Sequence, residues 1–224
     1  MTVKKVLVLT ISINAIFIGI GVLIGKTPEQ YFSKEASYIT WVSFFQLLYI
    51  AYLSLAIFKL RNKKKAFWQN PALLWGIIAF GFLFLALDEV IRIHENLDRI
   101  IHRSFHIREN AFSDRIDDAI IAVYAFIGIG TLCLYKEELK IFRSTLLLFI
   151  IGFAFVFLMV GAEMIVNRND ILPVLFSSKE IVHFLYSAFK VLEEALKLFA
   201  EAILITAFYY CIQITKPLLV NEKI

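Results

Sequence analysis

The chain has 224 residues, of which 60% are hydrophobic and only 19% are charged, and its mean hydropathy is +0.75. A soluble domain has about 25% charged residues, so this composition excludes an ordinary soluble core. The net charge of +4 does not form a basic stripe interleaved with aromatic residues, and nucleic-acid binding is therefore not expected. We predict one integral membrane domain over residues 1–224, in contact with the lipid bilayer.

Six apolar runs are each long enough, or nearly so, to cross the bilayer as a helix of about 20 residues. They cover residues 6–24, 39–58, 72–91, 119–135, 144–166 and 194–214. The runs are apolar on all sides and do not alternate, which favours helices over a membrane β-barrel. The predicted fold is an all-α bundle of six transmembrane helices. The first run lacks a cleavage site for a signal peptide, so we expect it to remain as a helix.

Local signals extend the third and sixth helices. Capping boxes at Thr27–Gln30 and Ser177–Glu180, and a cap at Asn70 before Pro71, predict helix starts. The sixth helix would then begin near residue 178. Apolar residues at helical spacing predict that the third helix continues without a break to about residue 105. We expect both helices to project on the extracytoplasmic side.

A few single residues receive structural interpretations. His102 is expected to be solvated on the surface, and Ser113 to cap the fourth span. Cys133 and Cys211 lie in apolar runs without metal-ligand spacing, so both are interpreted as buried thiols.

Basic residues in the loops indicate the orientation, because cytoplasmic loops are enriched in Lys and Arg. With the N-terminus inside, the cytoplasmic side holds Lys4, Lys5, Lys59, Arg61, Lys63, Lys64, Lys65, Lys136, Lys140, Arg143, Lys216 and Lys223. We predict a protein of the plasma membrane, the inner membrane of a bacterium, with both termini in the cytoplasm.

Two clusters of ionisable residues interrupt this apolar chain, and such residues in membrane helices usually carry function or pair with one another. The cluster on the third helix contains Asp88, Glu89, Arg92, His94 and Glu95. The cluster on the last helix contains His183, Lys190, Glu193, Glu194, Lys197 and Glu201. The topology places both at the extracytoplasmic boundary with Asp117, Asp118 and Glu163. Two facing polar stripes would form a closed site, although i, i+4 pairs such as Lys190 with Glu194 could also neutralise each other.

The residue types in these clusters suggest a membrane hydrolase that acts on a lipid or a peptide. Asp88, Glu89, His94, Glu95, His183 and Glu194 are predicted as ligands of a divalent metal, zinc or iron. The predicted catalytic residues are Glu89, Glu194 and Glu201. Arg92, Lys190 and Lys197 would bind the substrate. A carboxyl group acting as a general base without a metal is the other enzymatic interpretation.

Two sequence elements carry resemblances. Glu193 to Lys197 resembles the E-E-x-x-K element of PrsW-type glutamate intramembrane proteases, which would imply peptide hydrolysis by a glutamate. In that family the double glutamate precedes an F-x-x-x-E element, whereas here it lies in the last span and Phe84 to Asp88 ends in Asp. L-D-E-x-x-x-x-H-E (Leu87 to Glu95) together with L-E-E-x-x-K (Leu192 to Lys197) resembles a set of bacterial polytopic membrane proteins without an assigned activity.

Other functions stay open at this point. A line of carboxylates and lysines entering the membrane is typical of a proton or cation transporter or channel, although the cytoplasmic half of the last span has no charge. The same charges could pair helices in a non-catalytic accessory subunit of a membrane complex, or in a homo-oligomer. A bis-histidine haem between His94 and His183 is a further alternative.

Overall fold

The computed structural model describes residues 1–27, 29–32, 37–62, 70–105, 116–166 and 171–221. Within these ranges every regular element is helical, as expected. In chain order the helices are α1 (Val3–Ile24), α2 (Tyr38–Arg61), α3 (Leu73–Ile91), α4 (Ile93–Phe105), α5 (Ile116–Leu134), α6 (Lys136–Ile141), α7 (Leu146–Val166), α8 (Ile171–Leu175) and α9 (Lys179–Asn221), with a 3-10 turn at Arg143–Thr145.

Five of these helices are long and apolar enough to cross a membrane, namely α1, α2, α3, α7 and α9. The chain is therefore an all-helical protein with membrane-spanning character. α5 coincides with the predicted fourth span but is not among the five. Ser113 lies outside the described residues.

The start of α9 agrees with the sequence signal, whereas α3 begins two residues after the predicted position, at Leu73, with Ala72 as its N-cap and no side-chain cap. Ser178 accepts a hydrogen bond from the Ile181 N–H and begins α9, and the Asn70 side chain accepts one from the Ala72 N–H just before α3. The predicted start at Thr27–Gln30 is wrong, because those of its residues that are described form a turn in which the Gln30 N–H bonds to the Thr27 carbonyl. α2 begins only at Tyr38.

The chain divides into two compact units. Unit 1 comprises Met1–Gln46 and Ser144–Gln213, and unit 2 comprises Leu47–Arg143 and Ile214–Ile224. α2 contributes its first half to unit 1 and its second half to unit 2.

In unit 1, α9 runs antiparallel to α1. The Asn14 side chain of α1 donates to the Leu198 carbonyl of α9, while Tyr209 and Gln213 near the other end of α9 donate to the Met1 carbonyl. The two helices therefore run in opposite directions.

The directions of α2 and α7 relative to α9 follow from their contacts with it. α2 runs parallel to it, since Ile39 packs with Leu198 and Ser43 bonds to Glu201. α7 runs antiparallel, since Thr145 contacts Cys211 at one end and Gly152 lies against Leu204 nearer the middle. Cys211 is buried as expected, but Cys133 of α5 is exposed, so that interpretation was wrong.

In unit 2, a buried ion pair joins the end of α2 to α6. The Arg61 guanidinium donates two hydrogen bonds of 2.9 Å to the Glu138 carboxylate, and the Trp75 indole N–H donates a third at 3.1 Å. Trp75 also packs edge-on against Phe142. This bidentate geometry, in which the carboxylate receives three donors, fixes the ends of α2, α3 and α6 to one another.

Candidate functional site

A break in the helix at Arg92 shapes the first cluster of ionisable residues. Arg92 has φ 54° and ψ 57°, the left-handed conformation, and its N–H bonds to the Asp88 carbonyl at 2.7 Å. A non-glycine residue in this conformation costs roughly 1–2 kcal/mol, so surrounding contacts must stabilise it. The prediction of one continuous helix from the third span to residue 105 is therefore wrong. α3 ends at Ile91, and α4 starts in a new direction at Ile93.

The Asp88 carboxylate supplies the stabilising contacts. One of its oxygens accepts the backbone N–H of His94 at 3.0 Å, which caps α4, and the other lies 2.8 Å from His94 Nδ1. Asp88 is only 6% exposed and His94 is largely buried. An ionised carboxylate can only accept, so Nδ1 carries a proton, and in the neutral form of the imidazole the lone pair is on Nε2. We call this arrangement the Asp88-His94 pair.

Tyr124 of α5 lies in the same region of unit 2. Its ring packs edge-on against Phe84 at a centroid distance of 5.1 Å, and its hydroxyl is within electrostatic range of the Asp88 charge. The hydroxyl oxygen is buried and makes no hydrogen bond within the described part of the chain. Buried hydroxyl groups normally have a hydrogen-bond partner, so this one is a candidate donor for the site.

α4 buries His102, while apolar side chains such as Ile100 and Phe105 and the basic side chains of Arg99 and Arg103 are exposed. His102 is 8% exposed, with Nδ1 3.0 Å from Asp98, whereas Ile100 is 57% and Phe105 is 73% exposed. The expectation that His102 is solvated was wrong, because Asp98 offers it a partner on the protein side of the helix.

The second cluster, on α9 in unit 1, is organised as ion pairs. Lys190 bonds to Glu193 at 3.0 Å, and Lys197 lies 2.7 Å from Glu194. These are i, i+3 pairs, where the sequence had suggested i, i+4 pairs. All four side chains are largely buried, so each charge meets its opposite within one turn of the helix.

Glu201 lies deeper in unit 1 and is 4% exposed. Its carboxylate accepts a 2.6 Å hydrogen bond from the buried Ser43 hydroxyl of α2. Nearby, the amides of Asn14 and Gln46 bond to each other, at 2.7 Å and 3.3 Å, and Asn14 also donates to the Leu198 carbonyl at 2.5 Å. The sequence analysis singled out Glu201 but missed Asn14, Ser43 and Gln46. Their only signal was a polar side chain within an apolar run.

His183 has an acidic neighbour that the sequence analysis did not name. Burial would raise the pKa of Glu29, but hydrogen bonds from its own backbone, Ser187 and Thr27 and the charge of His183 together lower it. Glu29 lies in the turn after α1, so this contact attaches that turn to the start of α9.

The residues of the predicted site therefore fall into two groups. Asp88, Glu89, Arg92 and His94 belong to unit 2, and His183, Lys190, Glu194, Lys197 and Glu201 belong to unit 1. Their convergence into one closed site stays a prediction. The side chains of Glu95, Asp117 and Asp118 lie outside the described residues. Among the side chains that are described, no three His, Cys, Asp or Glu residues form a group that could hold a metal ion.

A comparison with protein-family models finds a match over residues 6–212, to a domain of unknown function, DUF8692. No curated protein and no solved structure matches the chain. The match includes every predicted site residue and covers all but the ends of the chain, so this all-helical membrane protein belongs to the DUF8692 family.

Proposed function

We propose that the protein is a membrane-embedded hydrolase in which His94 acts as general base and Asp88 orients it. The observation that carries this proposal is the Asp88-His94 pair, with 2.8 Å between the carboxylate and Nδ1. A carboxylate that fixes the tautomer and the ring orientation of an imidazole is the arrangement that prepares Nε2 to accept a proton. The second hydrogen bond, to the His94 N–H, holds the carboxylate itself in place.

The reaction that suits this pair is hydrolysis of an ester or amide. A water oxygen forms a bond to the carbonyl carbon while Nε2 of His94 takes the proton from that water. The bond to the leaving group then breaks, and the imidazolium returns its proton to the departing oxygen or nitrogen. Asp88 stabilises the imidazolium between these steps, and the Tyr124 hydroxyl supplies a donor for the developing oxyanion.

The surroundings of the pair favour a substrate that resides in the bilayer. Leu87 and Ile91 at the end of the membrane-spanning helix α3, and Leu97 on α4, flank the pair in sequence and are exposed apolar side chains. A lipid ester or lipid amide could reach His94 without leaving the membrane boundary, whereas a fully soluble substrate would meet apolar surface there.

A metal ion gives the same pair a different role. Metal-binding histidines commonly donate their second ring N–H to a carboxylate, and Asp88 would then orient His94 as a ligand of zinc or iron. Elemental analysis of the purified protein distinguishes the two versions. A stoichiometric metal that is lost in His94→Gln favours metal-assisted hydrolysis, and less than about a tenth of a metal per chain favours the metal-free general base.

The test of the function uses p-nitrophenyl esters of short and long fatty acids and a fluorogenic phospholipid, with the full-length protein in detergent or nanodiscs. His94→Gln and Asp88→Asn should each reduce turnover by about 10²-fold or more. Asp98→Asn is the matched control, because it removes the carboxylate of the other Asp and His pair on α4. Equal activity in all variants and wild type, or no hydrolysis of any probe, would contradict the proposal.

We also propose that α5 crosses the membrane as a sixth span. The support comes from unit 1, where α1 and α7 run antiparallel to α9 and α2 runs parallel to it. Between α2 and α7 the chain must therefore cross an even number of times. α3 alone would give an odd number, so α5 supplies the second crossing. Both termini then lie on one side, which the Lys and Arg distribution assigns to the cytoplasm of a plasma-membrane protein.

A further inference from the structure

The part of α2 that belongs to unit 2 has one buried face and one exposed face. Ile50, Leu53 and Ile57 are almost fully buried, whereas Tyr49 is 46% and Tyr52 is 63% exposed. Because the two tyrosines are three residues apart, they lie on the same side of the helix. Their rings stack, with 6.1 Å between the centroids and 16° between the planes. We call these two residues the tyrosine pair.

The tyrosine pair lies near the middle of a membrane-spanning helix. α2 covers Tyr38–Arg61, and Tyr49 is about 16–18 Å along the axis from either end. The hydrocarbon core of a bilayer is about 30 Å thick, so the pair is close to its centre. Tyrosine side chains that face lipid are normally at the membrane interface, where the hydroxyl reaches water. Lipid alone is therefore an unfavourable environment for this pair.

The hydroxyl groups of the pair make no hydrogen bond within the described part of the chain. Two other tyrosines of the membrane-spanning helices do have acceptors. Tyr38 donates to the Phe17 carbonyl at 2.7 Å, and Tyr209 donates to the Met1 carbonyl at 2.8 Å. Lipid tails offer no acceptor, so an exposed hydroxyl at this depth is costly. This face of α2 consequently needs a partner that has a hydrogen-bonding group at the centre of the bilayer.

A second copy of the chain supplies such a group at the required depth. All copies of a membrane protein have the same orientation and depth in the bilayer. A twofold axis along the membrane normal therefore brings the tyrosine pair of one copy opposite that of the other. A tyrosine hydroxyl both donates and accepts, so the two pairs can satisfy each other without any further group. The aromatic rings add a large apolar contact area.

We propose that the tyrosine pair forms the centre of a homodimer interface in the membrane, in which its hydroxyl groups bond to those of a second copy. Leu55, three residues after Tyr52 and 41% exposed, extends this interface along α2. The Asp88-His94 pair lies on α3 and α4, so the proposed dimer does not depend on the hydrolase.

The first arm of the experiment measures association by energy transfer between donor-labelled and acceptor-labelled copies of the full-length protein in vesicles. The labels are attached to Lys140→Cys, an exposed position of α6, in a protein without its native cysteines. The transfer should decrease as the protein is diluted with lipid. A protein with both Tyr49→Phe and Tyr52→Phe should need a roughly tenfold higher protein-to-lipid ratio for the same dimer fraction. Tyr135→Phe is the matched control, because it makes the same change outside α2.

The second arm locates the interface by disulfide formation with membrane-permeant copper phenanthroline. Leu55→Cys should give a cross-linked dimer, and Phe80→Cys, near the middle of α3 and 71% exposed, should not. The proposal is overturned if the protein is monomeric at every ratio, if the double phenylalanine variant associates as tightly as wild type, or if only Phe80→Cys forms the dimer. A monomer that retains a lipid with a polar ring, detected by mass spectrometry, would also overturn it and assign this face to that lipid.

Discussion

Neighbouring residues of one type can contribute very differently to the stability of this protein, and Glu137 and Glu138 are an example. Glu137 pairs with Lys140 on the surface, where both side chains are 69% exposed and water screens their attraction. Glu138 is buried and receives three hydrogen bonds, two from Arg61 and one from Trp75. The energetic contribution follows from the burial and the number of donors, and the residue type alone does not predict it.

Glu138→Gln should lower the stability of unit 2 by about 2–3 kcal/mol, because the new amide NH₂ faces the Arg61 guanidinium and leaves a largely buried charge without its carboxylate. Glu137→Gln is the adjacent control and should change little. Thermal or denaturant unfolding of the two variants in detergent measures the difference. Equal stability of both variants would show that the buried ion pair contributes nothing net.

The functional residues could be predicted from the sequence where a charge stands in an apolar run, and not where a neutral side chain does. Glu201 is conspicuous for that reason, while Ser43 and Asn14 resemble many harmless polar residues of membrane helices. Ser43 bonds to a residue 158 positions away in the chain, and Asn14 to one 184 positions away. No local sequence pattern predicts contacts between residues so far apart. The Asp88-His94 pair was missed for another reason, since a regular helix places residues i and i+6 on different faces.

At the scale of helices, the contact of α7 with α9 depends on a glycine. A Cβ atom at Gly152 would lie 2.9 Å from a Leu204 methyl group and 3.0 Å from Leu204 Cγ. Leu204 is itself buried, so it has little freedom to move aside. In a membrane the hydrophobic effect does not favour contact with another helix over contact with lipid. Small residues favour helix association there because they let the helices approach closely.

Gly152→Ala should therefore destabilise the protein by about 1–3 kcal/mol through overpacking. Gly161→Ala on the same helix is the control, because nothing lies within 4 Å of a Cβ there. Unfolding in mixed detergent micelles compares them. A Gly152→Ala protein as stable as Gly161→Ala would mean that α7 shifts freely along α9.

The positions of most helices were predictable, because a run of apolar residues and a capping signal are local properties. The start of α9 after Ser178 is an example. The break after α3 was not predictable, since the left-handed conformation of Arg92 depends on contacts made by Asp88, and arginine has no preference for it. The sequence thus indicated a helical stretch to Phe105 but not its change of direction.

α4 provides the test of how this region meets the bilayer, since its exposed surface has both apolar and basic side chains. An amphipathic helix at the interface has one face in lipid and the other in water. Nitroxide labels at Leu97 and Ile100 should therefore collide with oxygen, which concentrates in lipid. Labels at Arg99 and Arg103 should collide instead with a polar nickel chelate. Power-saturation EPR of single-cysteine variants lacking Cys133 and Cys211 measures both accessibilities. Chelate contact at all four positions would show α4 in water.

At the scale of the whole molecule, the direction of the helices in unit 1 supports the proposed even number of membrane crossings. The Met1 carbonyl accepts hydrogen bonds from Tyr209 and Gln213, so in the proposed topology the start of α1 and the C-terminal part of α9 lie on the same side of the membrane. Within the described residues, hydropathy alone identifies five helices, and five crossings would place the termini on opposite sides. Helix polarity therefore carries information about α5 that its own composition does not.

Cysteine labelling in intact cells tests this topology. It uses a membrane-impermeant maleimide and single-cysteine variants of a protein that lacks Cys133 and Cys211. Lys26→Cys and Lys179→Cys should react from outside, while Lys140→Cys and Lys216→Cys should react only after the membrane is disrupted. If α5 did not cross, the α6 segment with Lys140 and the C-terminal end of α9 with Lys216 would both move to the outer side, while Lys179 would move inside. The reactivity of Lys140→Cys and Lys179→Cys thus distinguishes six spans from five, because each of these two positions lies on opposite sides of the membrane in the two topologies.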